Sequence, residues 1–433
     1  MRYKRYERYK DSGVDWIGDI PEHWEIKKLK HVLKELVSGG TPSSMNEENW
    51  TEGEEGINWV SISDMSNTDY VYETAKKITF MGLKEKNLKI LKRGTLIYSI
   101  YATLGKVAEL KIDAVTNQAI LGLILKEEQV NKQFIKRYLE SFERYILYLS
   151  SNNTQNNLNA EKVKNIAVVL PKDDEQTAIA DFLDKKTSEI DSLIQDKEKL
   201  ISLLEEKRQA IITEAVTKGL NPNVKLKDSG IEWIGEIPEH WEIKKLKYLV
   251  KAMNKKALDS DEERIYIGLE DIESRTGNLL MSSFNNQKNI EGESIIFETN
   301  DVLFGKLRPY LAKCILASFP GRCTTELLVL RCSNIMPKYI FYLMLSEKFI
   351  NIVNSSTYGT KMPRTNWDFI GNLYIPLPNK FEQESIIDWL NKKCEEIDFL
   401  IMSIKQQIQK LKEYRQSLIF EAVTGKIDLR DYE

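Results

Sequence analysis

Two pairs of repeated segments determine the order of the parts of this chain. Residues 10–31 and 227–248 are identical at 18 of 22 positions. Farther along, residues 175–217 and 382–424 are identical at 22 of 43 positions. The stretches between the repeats do not align with each other. Repeats of this kind indicate a structural unit that is used more than once. The sequence therefore predicts three parts in a fixed order: a short cassette, an unmatched domain and a long matched segment. This series of parts occurs twice along the chain.

The long matched segments have the apolar pattern of two paired helices. Apolar residues recur at alternating steps of four and three over more than four heptads, which is the period of a coiled coil. A helix over residues 183–215 would be about 50 Å long. Because the two seams are near copies, we expect the helices to pair as a rigid spacer, although packing of each on its own domain stays open. The predicted seam residues are Leu183, Ile190, Ile194, Ile201, Leu204, Ile211, Leu390, Ile397, Ile401, Ile404, Ile408, Leu411 and Leu418.

Each short cassette has the composition of an ordered loop. The pattern D-S-G-x-x-W-I-G-x-I-P-x-H-W, at residues 11–24 and 228–241, brings glycine, proline and large rings close together. We expect Trp16 and Trp24, and their counterparts in the second cassette, to pack against another part of the protein. A structural role for the cassette histidines, His23 and His240, is favoured over a chemical one.

The unmatched domains mix strand and helix patterns, which predicts an α+β fold. Apolar, β-branched runs indicate buried strands. These predicted strand regions are 94–107, 115–125, 301–314 and 325–330. The predicted helices in these domains are 132–150 and 338–353. The predicted segments are 1–171 for the first unmatched domain with cassette 10–31, 172–219 for the first helix, 220–378 for the second domain with cassette 227–248, and 379–433 for the second helix and the C-terminal tail.

Charge is distributed in bands along the chain. The total of 62 Lys+Arg against 65 Asp+Glu, a net charge of −3, would by itself argue against nucleic-acid binding. However, residues 44–73 hold eight acids and no Lys or Arg, whereas residues 76–111 hold nine bases and two acids. Residues 300–370 hold nine bases and four acids. The bands predict one positive surface per unmatched domain, suited to DNA phosphates, although a solvated charge run stays open for each stretch alone.

Candidate DNA-contacting residues lie in the basic bands and near the strand turns. Arg pairs well with guanine, and Asn or Gln with adenine. Core or turn roles stay equally open for most of these side chains. The candidates in the first domain are Lys76, Lys77, Lys84, Lys92, Arg93, Ser99, Tyr101, Thr103, Lys106, Asn117 and Gln118. Those in the second domain are Lys306, Arg308, Tyr310, Lys313, Arg322, Lys361 and Arg364.

The sequence contains no pattern of a catalytic or metal site. Its four cysteines form no C-x-x-C pair, and three histidines are too few for a clustered zinc site. There is no P-loop, glycine-rich dinucleotide turn, amino-methyltransferase [DNS]-P-P-[YFW] motif or compact nuclease cluster. We therefore expect a protein without catalytic residues or metal. The N-terminal residues have no secretory pattern, and no apolar run reaches the roughly 18 residues of a membrane span. A cytoplasmic protein without membrane contact is expected.

Several motifs together resemble one family over essentially the whole chain. They are the two cassettes, the duplicated EQ…EID…EAVT helices, G-G-T-P-S at 39–43, F-G-K-L-R-P-Y-L-A-K at 304–313 and I-P-L-P…EQ at 375–383. This combination resembles the specificity subunits of type I restriction–modification systems. The resemblance implies two pseudo-symmetric target-recognition domains joined by two long helices in an antiparallel coiled coil. Each domain would read one half of a bipartite, asymmetric site in double-stranded DNA, and the coiled coil would set the gap.

The resemblance also implies partners and the location of the chemistry. Two methyltransferase subunits would dock on this chain, and two restriction/translocase subunits would join the full complex. S-adenosylmethionine would bind the methyltransferase subunits, and ATP with Mg²⁺ the translocase subunits, so this chain would need no cofactor. The base-reading residues vary within the family, so the resemblance assigns none of the candidates above.

Overall fold

A computed structural model of the 433-residue chain describes residues 3–432 except 67, 102, 152–157, 259–260, 262, 281–292, 358 and 360. For residues 143–145 and 147–151 it describes the backbone alone. The chain forms two compact units, one of Met1–Asp196 with Gln407–Glu433 and one of Lys197–Gln406. The four segments predicted from the repeats are divisions of the sequence, and their boundaries stay predictions.

The first unit contains thirteen strands and five complete helices within its described residues. The strands are β1 Tyr9–Asp11, β2 Asp19–Pro21, β3 Glu25–Lys28, β4 Leu33–Ser38, β5 Trp50–Thr51, β6 Ile57–Val60, β7 Tyr70–Val71, β8 Lys76–Ile78, β9 Leu96–Ser99, β10 Val107–Leu110, β11 Ala114–Thr116, β12 Ile120–Leu125 and β13 Ala167–Leu170. The helices are α1 Leu29–Val32, α2 Ile62–Met65, α3 Phe80–Glu85, α4 Lys132–Ser151 and α5 Ala160–Lys164. The predicted strand regions contain β9 and the start of β10 in 94–107 and most of β11 with β12 in 115–125, and the helix over 132–150 is confirmed as α4.

The second unit has eleven strands and three complete helices in its described part. Its strands are β14 Leu226–Asp228, β15 Glu236–Pro238, β16 Glu242–Lys245, β17 Val250–Met253, β18 Tyr266–Ile267, β19 Ser294–Phe297, β20 Val302–Gly305, β21 Cys314–Leu316, β22 Gly321–Thr324, β23 Leu327–Cys332 and β24 Tyr374–Leu377. Its helices are α7 Pro337–Leu345, α8 Glu347–Ser355 and α9 Trp367–Asn372. The two longest helices of the chain, α6 Asp173–Lys218 and α10 Lys380–Val423, each have one end in each unit.

One helix prediction in the second unit was wrong in a detail. The helix expected over 338–353 is two helices, α7 and α8, separated at Ser346. Ser346 has an extended backbone, with φ −65° and ψ 141°, and its hydroxyl donates a hydrogen bond to the Leu343 carbonyl. A serine side chain that bonds the backbone locally competes with helix continuation, which explains the break.

The two unmatched domains share the order of their main sheets. In the first unit the order is β4-β12-β9-β10-β7, and in the second it is β17-β23-β20-β21. The central hairpins correspond, because β9 pairs with β10 and β20 pairs with β21, both antiparallel. Each unit also has a smaller sheet, β11-β6-β8-β5 in the first and β18-β22-β19 in the second. Two domains without alignable sequence are therefore built on one topology, which agrees with the expected pair of pseudo-symmetric α+β domains.

The predicted heptad seam lies on the covered faces of α6 and α10. All thirteen predicted seam residues are buried or half-buried, whereas Leu200 and Leu203, just outside the seam, are exposed. In the first unit the start of α6 packs against the end of α10, as the Asp191–Arg415 ion pair shows. In the second unit the end of α6 packs against the start of α10, with Arg208 paired to Asp398. This is the arrangement of an antiparallel coiled coil.

Each cassette joins the N-terminus of one long helix to the C-terminus of the other. In the first unit, His23 contacts Glu175 in the first turn of α6 at 3.0 Å, and Trp24 packs against Gly425 after α10. In the second unit, His240 contacts Glu382 in the first turn of α10 at 2.8 Å, and Trp241 packs against Gly219 after α6. Trp24 and Trp241 are fully buried. The histidines are engaged in these structural contacts, as the sequence favoured.

Candidate nucleic-acid interface

Three of the candidate lysines lie on or beside the small sheet of the first domain, two of them next to aromatic rings. Lys76 and Lys77 lie on β8, and the Lys76 ammonium is 5.5 Å from the centre of the Trp50 ring. Lys84 lies on α3 with its ammonium 4.5 Å from the centre of the exposed Phe80 ring. A lysine held over a ring keeps its charge toward solvent while its stem covers apolar surface. These lysines can donate to phosphates, and the exposed Phe80 ring can stack on a base.

Lys92 and Arg93 are exposed just before β9, but a nearby carboxylate offsets part of their charge. The Lys92 ammonium is 2.8 Å from Asp113, and the Arg93 amide donates to the same carboxylate. The hydrogen bond from Lys92 lowers the pKa of Asp113. Because Lys92 and Asp113 are both exposed, Lys92 can leave Asp113 and bind a DNA phosphate at little cost in free energy.

The β9–β10 turn uses most of its polar candidates inside the protein. Ser99 is fully buried, and its hydroxyl donates to the Thr103 carbonyl. Lys106 pairs with Asp69 at 3.1 Å. The Thr103 hydroxyl is enclosed without a hydrogen-bond partner among the described residues. Ser99 therefore builds the turn, and its assignment to DNA contact is corrected by its burial. Among the described residues of this turn, Tyr101 is the most open to solvent, with 43% of its surface exposed.

The segment that follows β11 lies beside this turn. The Ile100 amide donates to the Ala119 carbonyl, which brings the turn next to Asn117 and Gln118. The Asn117 side chain accepts from the Ala119 amide and so shapes the chain locally. Gln118 is exposed and bonds to Thr41. Of the two predicted amide side chains, Gln118 is exposed and Asn117 is half-buried.

The equivalent turn of the second domain, between β20 and β21, is more exposed and more basic. Arg308 is exposed, and Tyr310 has 41% of its surface exposed. Arg308 has a left-handed backbone, with φ 51°, and its amide donates to the Pro363 carbonyl. The Thr365 amide donates to the Lys306 carbonyl, so this turn and residues 361–365 form one surface.

The remaining candidates of the second domain lie on or behind that surface. Lys361 is exposed, and Arg364 is exposed with a two-point contact to Glu326. The Lys313 ammonium donates to the Leu269 carbonyl, which holds it against the protein. Arg322 is half-buried on β22, with its guanidinium 5.9 Å from the centre of the Tyr266 ring. The structure thus groups Lys306, Arg308, Tyr310, Lys361 and Arg364.

Several charged residues that position these surfaces were not among the sequence candidates. Asp69 lies within 4 Å of four cationic side chains in the first unit: Lys106, Lys136, Arg137 and Arg415. Burial tends to raise the pKa of Asp69, but the charges of Lys136 and Lys106 outweigh burial and lower the pKa below its ordinary value. Only the repeated arginine in the two long helices, Arg208 and Arg415, gave a signal in the sequence.

The cassettes also contain a difference that the repeat alone does not reveal. In the first unit the Tyr6 hydroxyl donates to Glu175 at 2.6 Å, and the Trp24 indole N–H has no hydrogen-bond partner in the described part of the chain. In the second unit the equivalent Trp241 donates to Glu382 at 3.1 Å. Burial, together with the bond to Glu175, raises the pKa of Tyr6 well above its ordinary value. The same carboxylate position therefore keeps its histidine contact in both copies and has a different second donor in each.

The described residues contain no group of three or more His, Cys, Asp or Glu side chains placed to hold a metal ion. Within the same part of the chain, no helix combines the length and apolar character needed to cross a bilayer. The four cysteines are free, and burial raises the pKa of the Cys323 thiol to about 12.

The fold and surfaces define a class of duplicated protein, in which two domains of one topology present different polar turns and are joined by a pair of long helices. The chain belongs to the family described as the type I restriction modification DNA specificity domain, which matches residues 21–202 and 238–411. It is thus a specificity subunit, the non-catalytic member of a type I restriction–modification system.

Relatives of known class match over the full length of the chain. The MjaIX specificity subunit of Methanocaldococcus jannaschii is 26% identical over 100% of this chain and 99% of its own length. The MjaVIII specificity subunit of the same organism is 24% identical over 100% of this chain and 98% of its own length. A solved chain from work on complex assembly and conformational transition of the type I R-M system has a TM-score of 0.68 and 14% identity, and covers 94% of this chain and 99% of its own. That structural likeness concerns the fold.

Proposed function

We propose that this specificity subunit reads a bipartite, asymmetric site in double-stranded DNA, one half with each unmatched domain. The observation that carries the proposal is the shared sheet order with different exposed side chains at equivalent hairpin turns. The first turn presents Tyr101 beside Gln118, whereas the second presents Arg308 and Tyr310 beside Arg364. Side chains of different hydrogen-bonding capacity select different bases, so the two halves of the site differ in sequence.

Exposed basic residues of the two domains supply the binding that does not depend on sequence. Phosphate contacts fix the position of a protein on the duplex, and base contacts then specify the sequence. Lys76, Lys77, Lys84 and Lys361 are suited to phosphates because no described carboxylate pairs with their ammonium groups within 4 Å. The net charge of −3 does not oppose this role, because phosphate contact depends on the local field.

The long helices support a role as the spacer between the two half-sites. Helix α6 has 46 residues and α10 has 44, and both contribute to both units. The 33 residues of the predicted seam would extend about 50 Å, on the order of 15 base pairs at about 3.4 Å per step. We propose that the coiled coil sets the number of unread base pairs between the halves.

The helices also carry the surface that we assign to two methyltransferase subunits. In the second unit, Leu200 and Leu203 on α6 and Phe399 and Met402 on α10 are exposed apolar residues on otherwise polar helices. Exposed apolar patches are typical of protein interfaces. In the proposed complex, two restriction/translocase subunits complete the assembly. S-adenosylmethionine binds the methyltransferase subunits and ATP with Mg²⁺ binds the translocase subunits, and this chain needs no cofactor of its own.

The test is a map of methylated bases across a genome, made with this chain co-expressed with its methyltransferase partner. We expect one motif with two specified halves of different sequence and a constant gap of unread base pairs. The matched control is the methyltransferase expressed without this chain, which should give no motif. A single uninterrupted motif, or no motif with the complete complex, would contradict the proposal.

A further inference from the structure

The same arginine occurs at the same repeat position of both long helices, and in each case it contacts the other helix. Arg415 on α10 pairs with Asp191 on α6 at 2.9 Å. Arg208 on α6 lies 3.4 Å from Asp398 on α10. The two aspartates also occupy equivalent positions, in the repeated E-I-D motif. The pair of contacts is thus part of the duplicated helix-to-helix packing.

In the first unit, Arg415 also reaches the unmatched domain. Its guanidinium is 3.9 Å from the Asp69 carboxylate. The other oxygen of Asp69 accepts a hydrogen bond from Lys106 at 3.1 Å, and Lys106 closes the β9–β10 turn that presents Tyr101. A single carboxylate therefore connects the long helix to the exposed turn. All three side chains are less than one-third exposed, so solvent weakens these attractions only in part.

In the second unit, Arg208 makes the corresponding connection with different chemistry. Its guanidinium donates to the Thr276 carbonyl at 2.8 Å, and the neighbouring Gln209 donates to the Arg275 carbonyl at 3.3 Å. Arg275 in turn donates from its amide to the Ala312 carbonyl and from its side chain to the Tyr310 carbonyl. Those acceptors belong to the turn that presents Arg308 and Tyr310. One short segment again lies between the long helix and the exposed turn.

We infer that Arg208 and Arg415 are positioning residues that hold each recognition turn in a fixed orientation on the helix pair. The inference rests on the proposed function, because the turns matter only if they contact DNA. Arginine suits the task, since its planar fork can bond two partners in fixed directions. If the arginines served helix pairing alone, the aspartates would be sufficient partners. Instead each arginine has a second contact that leads to the equivalent turn of its own domain.

A positioning role predicts an effect on DNA recognition that a simple loss of overall stability does not predict. When the orientation of a turn loosens, that turn meets its bases in more than one register. The complex then accepts gaps one base pair shorter or longer, and discrimination falls in one half-site only. Loosening the first unit should affect the half read by the first domain. Loosening the second unit should affect the other half.

The experiment compares methylation maps of the complete complex carrying wild-type chain, Arg415→Met, Arg208→Met, Asp69→Asn or Asp191→Asn. Asp69→Asn weakens the contact to the domain, and Asp191→Asn weakens the contact to the other helix. We expect Arg415→Met and Asp69→Asn to raise methylation at sites with a gap altered by one base pair at least tenfold. Their loss of base discrimination should be confined to one half. Arg208→Met should loosen the opposite half, and Asp191→Asn should have the smaller effect.

The outcomes separate this inference from the proposed function. If the wild-type complex methylates no bipartite motif, the proposed function fails, and this inference fails with it. If the wild type does so but Arg415→Met and Asp69→Asn keep its gap and discrimination, the positioning role alone is overturned. A gap change that follows Asp191→Asn and not Asp69→Asn also overturns it, because the arginine would then act only on helix pairing. Should Arg415→Met fail to fold, Asp69→Asn and Arg415→Lys supply the same comparison.

Discussion

Gly425→Ala is expected to lower the free energy of unfolding of the first unit by about 2–5 kcal/mol. Gly425 follows α10 with a left-handed backbone, φ 72°, which costs an L-residue about 1–2 kcal/mol. A Cβ at this position would lie 2.3 Å from Cδ of Pro21 and 3.1 Å from the Trp24 ring. Because both groups belong to the buried cassette, the clash adds overpacking to the backbone strain. Urea unfolding followed by far-ultraviolet circular dichroism measures the loss.

Gly13→Ala is the matched control for this prediction. Gly13 has a similar backbone, with φ 65°, but a Cβ there would meet no atom within 4 Å. Its substitution should cost only the conformational strain, about 1–2 kcal/mol. In the second unit, Gly219→Ala should fall between the two, because its Cβ would touch the Trp241 ring at 3.1 Å without the closer proline contact. Equal losses for Gly425→Ala and Gly13→Ala would refute the close cassette packing.

Arg137→Met is expected to destabilise the first unit by about 3–5 kcal/mol at neutral pH. Arg137 lies on α4 with a nearly buried side chain, and it contacts Asp184 at 2.7 Å and Glu140 at 2.9 Å. Its guanidinium is also 3.8 Å from Asp69. Methionine fills much of the space but removes the guanidinium that contacts all three carboxylates, whereas Lys136 still lies within 4 Å of Asp69 and Glu140. Lys92→Met, which removes an exposed partner of Asp113, should cost much less.

The cost of Arg137→Met should shrink in acid. The pKa of Asp69 is below its ordinary value, so its contribution to stability is present above the unfolded pKa of about 3.9. That contribution is lost as the pH falls through the lower pKa of the folded state. Once Asp69 is protonated, the loss of a neighbouring cation no longer affects it. We therefore expect the difference between wild type and variant to be largest near pH 7 and smaller near pH 3–4. A difference independent of pH would contradict the buried network.

The regular parts of this fold follow from periodic features of the sequence. The heptad pattern predicts α6 and α10 because the seam repeats over many turns, and its residues are the covered ones. The repeated cassettes predict packed tryptophans because a short loop rich in glycine and proline has few other uses for two large rings, and the second ring of each cassette is fully buried. The break at Ser346 was missed because its surroundings, α7 and α8, are apolar on both sides. A local hydrogen bond, not a periodic pattern, ends the helix there.

The polar surfaces were harder to predict because they depend on contacts between distant residues. Ser99 and Lys106 fit a DNA-contacting turn by residue type, yet the turn geometry directs both toward protein partners. Asp69 lies in an acidic stretch that is typical of a solvated loop, and only the fold brings it to Arg415. Tyr101 and Arg308, which the sequence places near the strand turns, are exposed there. Whether those residues contact bases stays a prediction.

The duplication gives each unit a matched partner for comparison. The cassette–helix contacts recur with a changed donor, Tyr6 in one copy and Trp241 in the other. The arginine contacts recur with a changed acceptor, a carboxylate in one copy and a backbone carbonyl in the other. In both cases the position is kept while the chemistry differs. This pattern suits a protein whose frame is repeated and whose two recognition surfaces are not.

The most direct test of the proposed spacer is a change in its length. One heptad is inserted within residues 183–215 of α6, and a matching heptad is inserted in the equivalent part of α10, so that the seam stays in register. Seven residues add about 10 Å, or on the order of three base pairs. The methylation map of the complete complex should then show a longer gap of about three base pairs between unchanged half-sites. An unchanged gap, or altered half-site sequences, would contradict the role of the helices as the spacer.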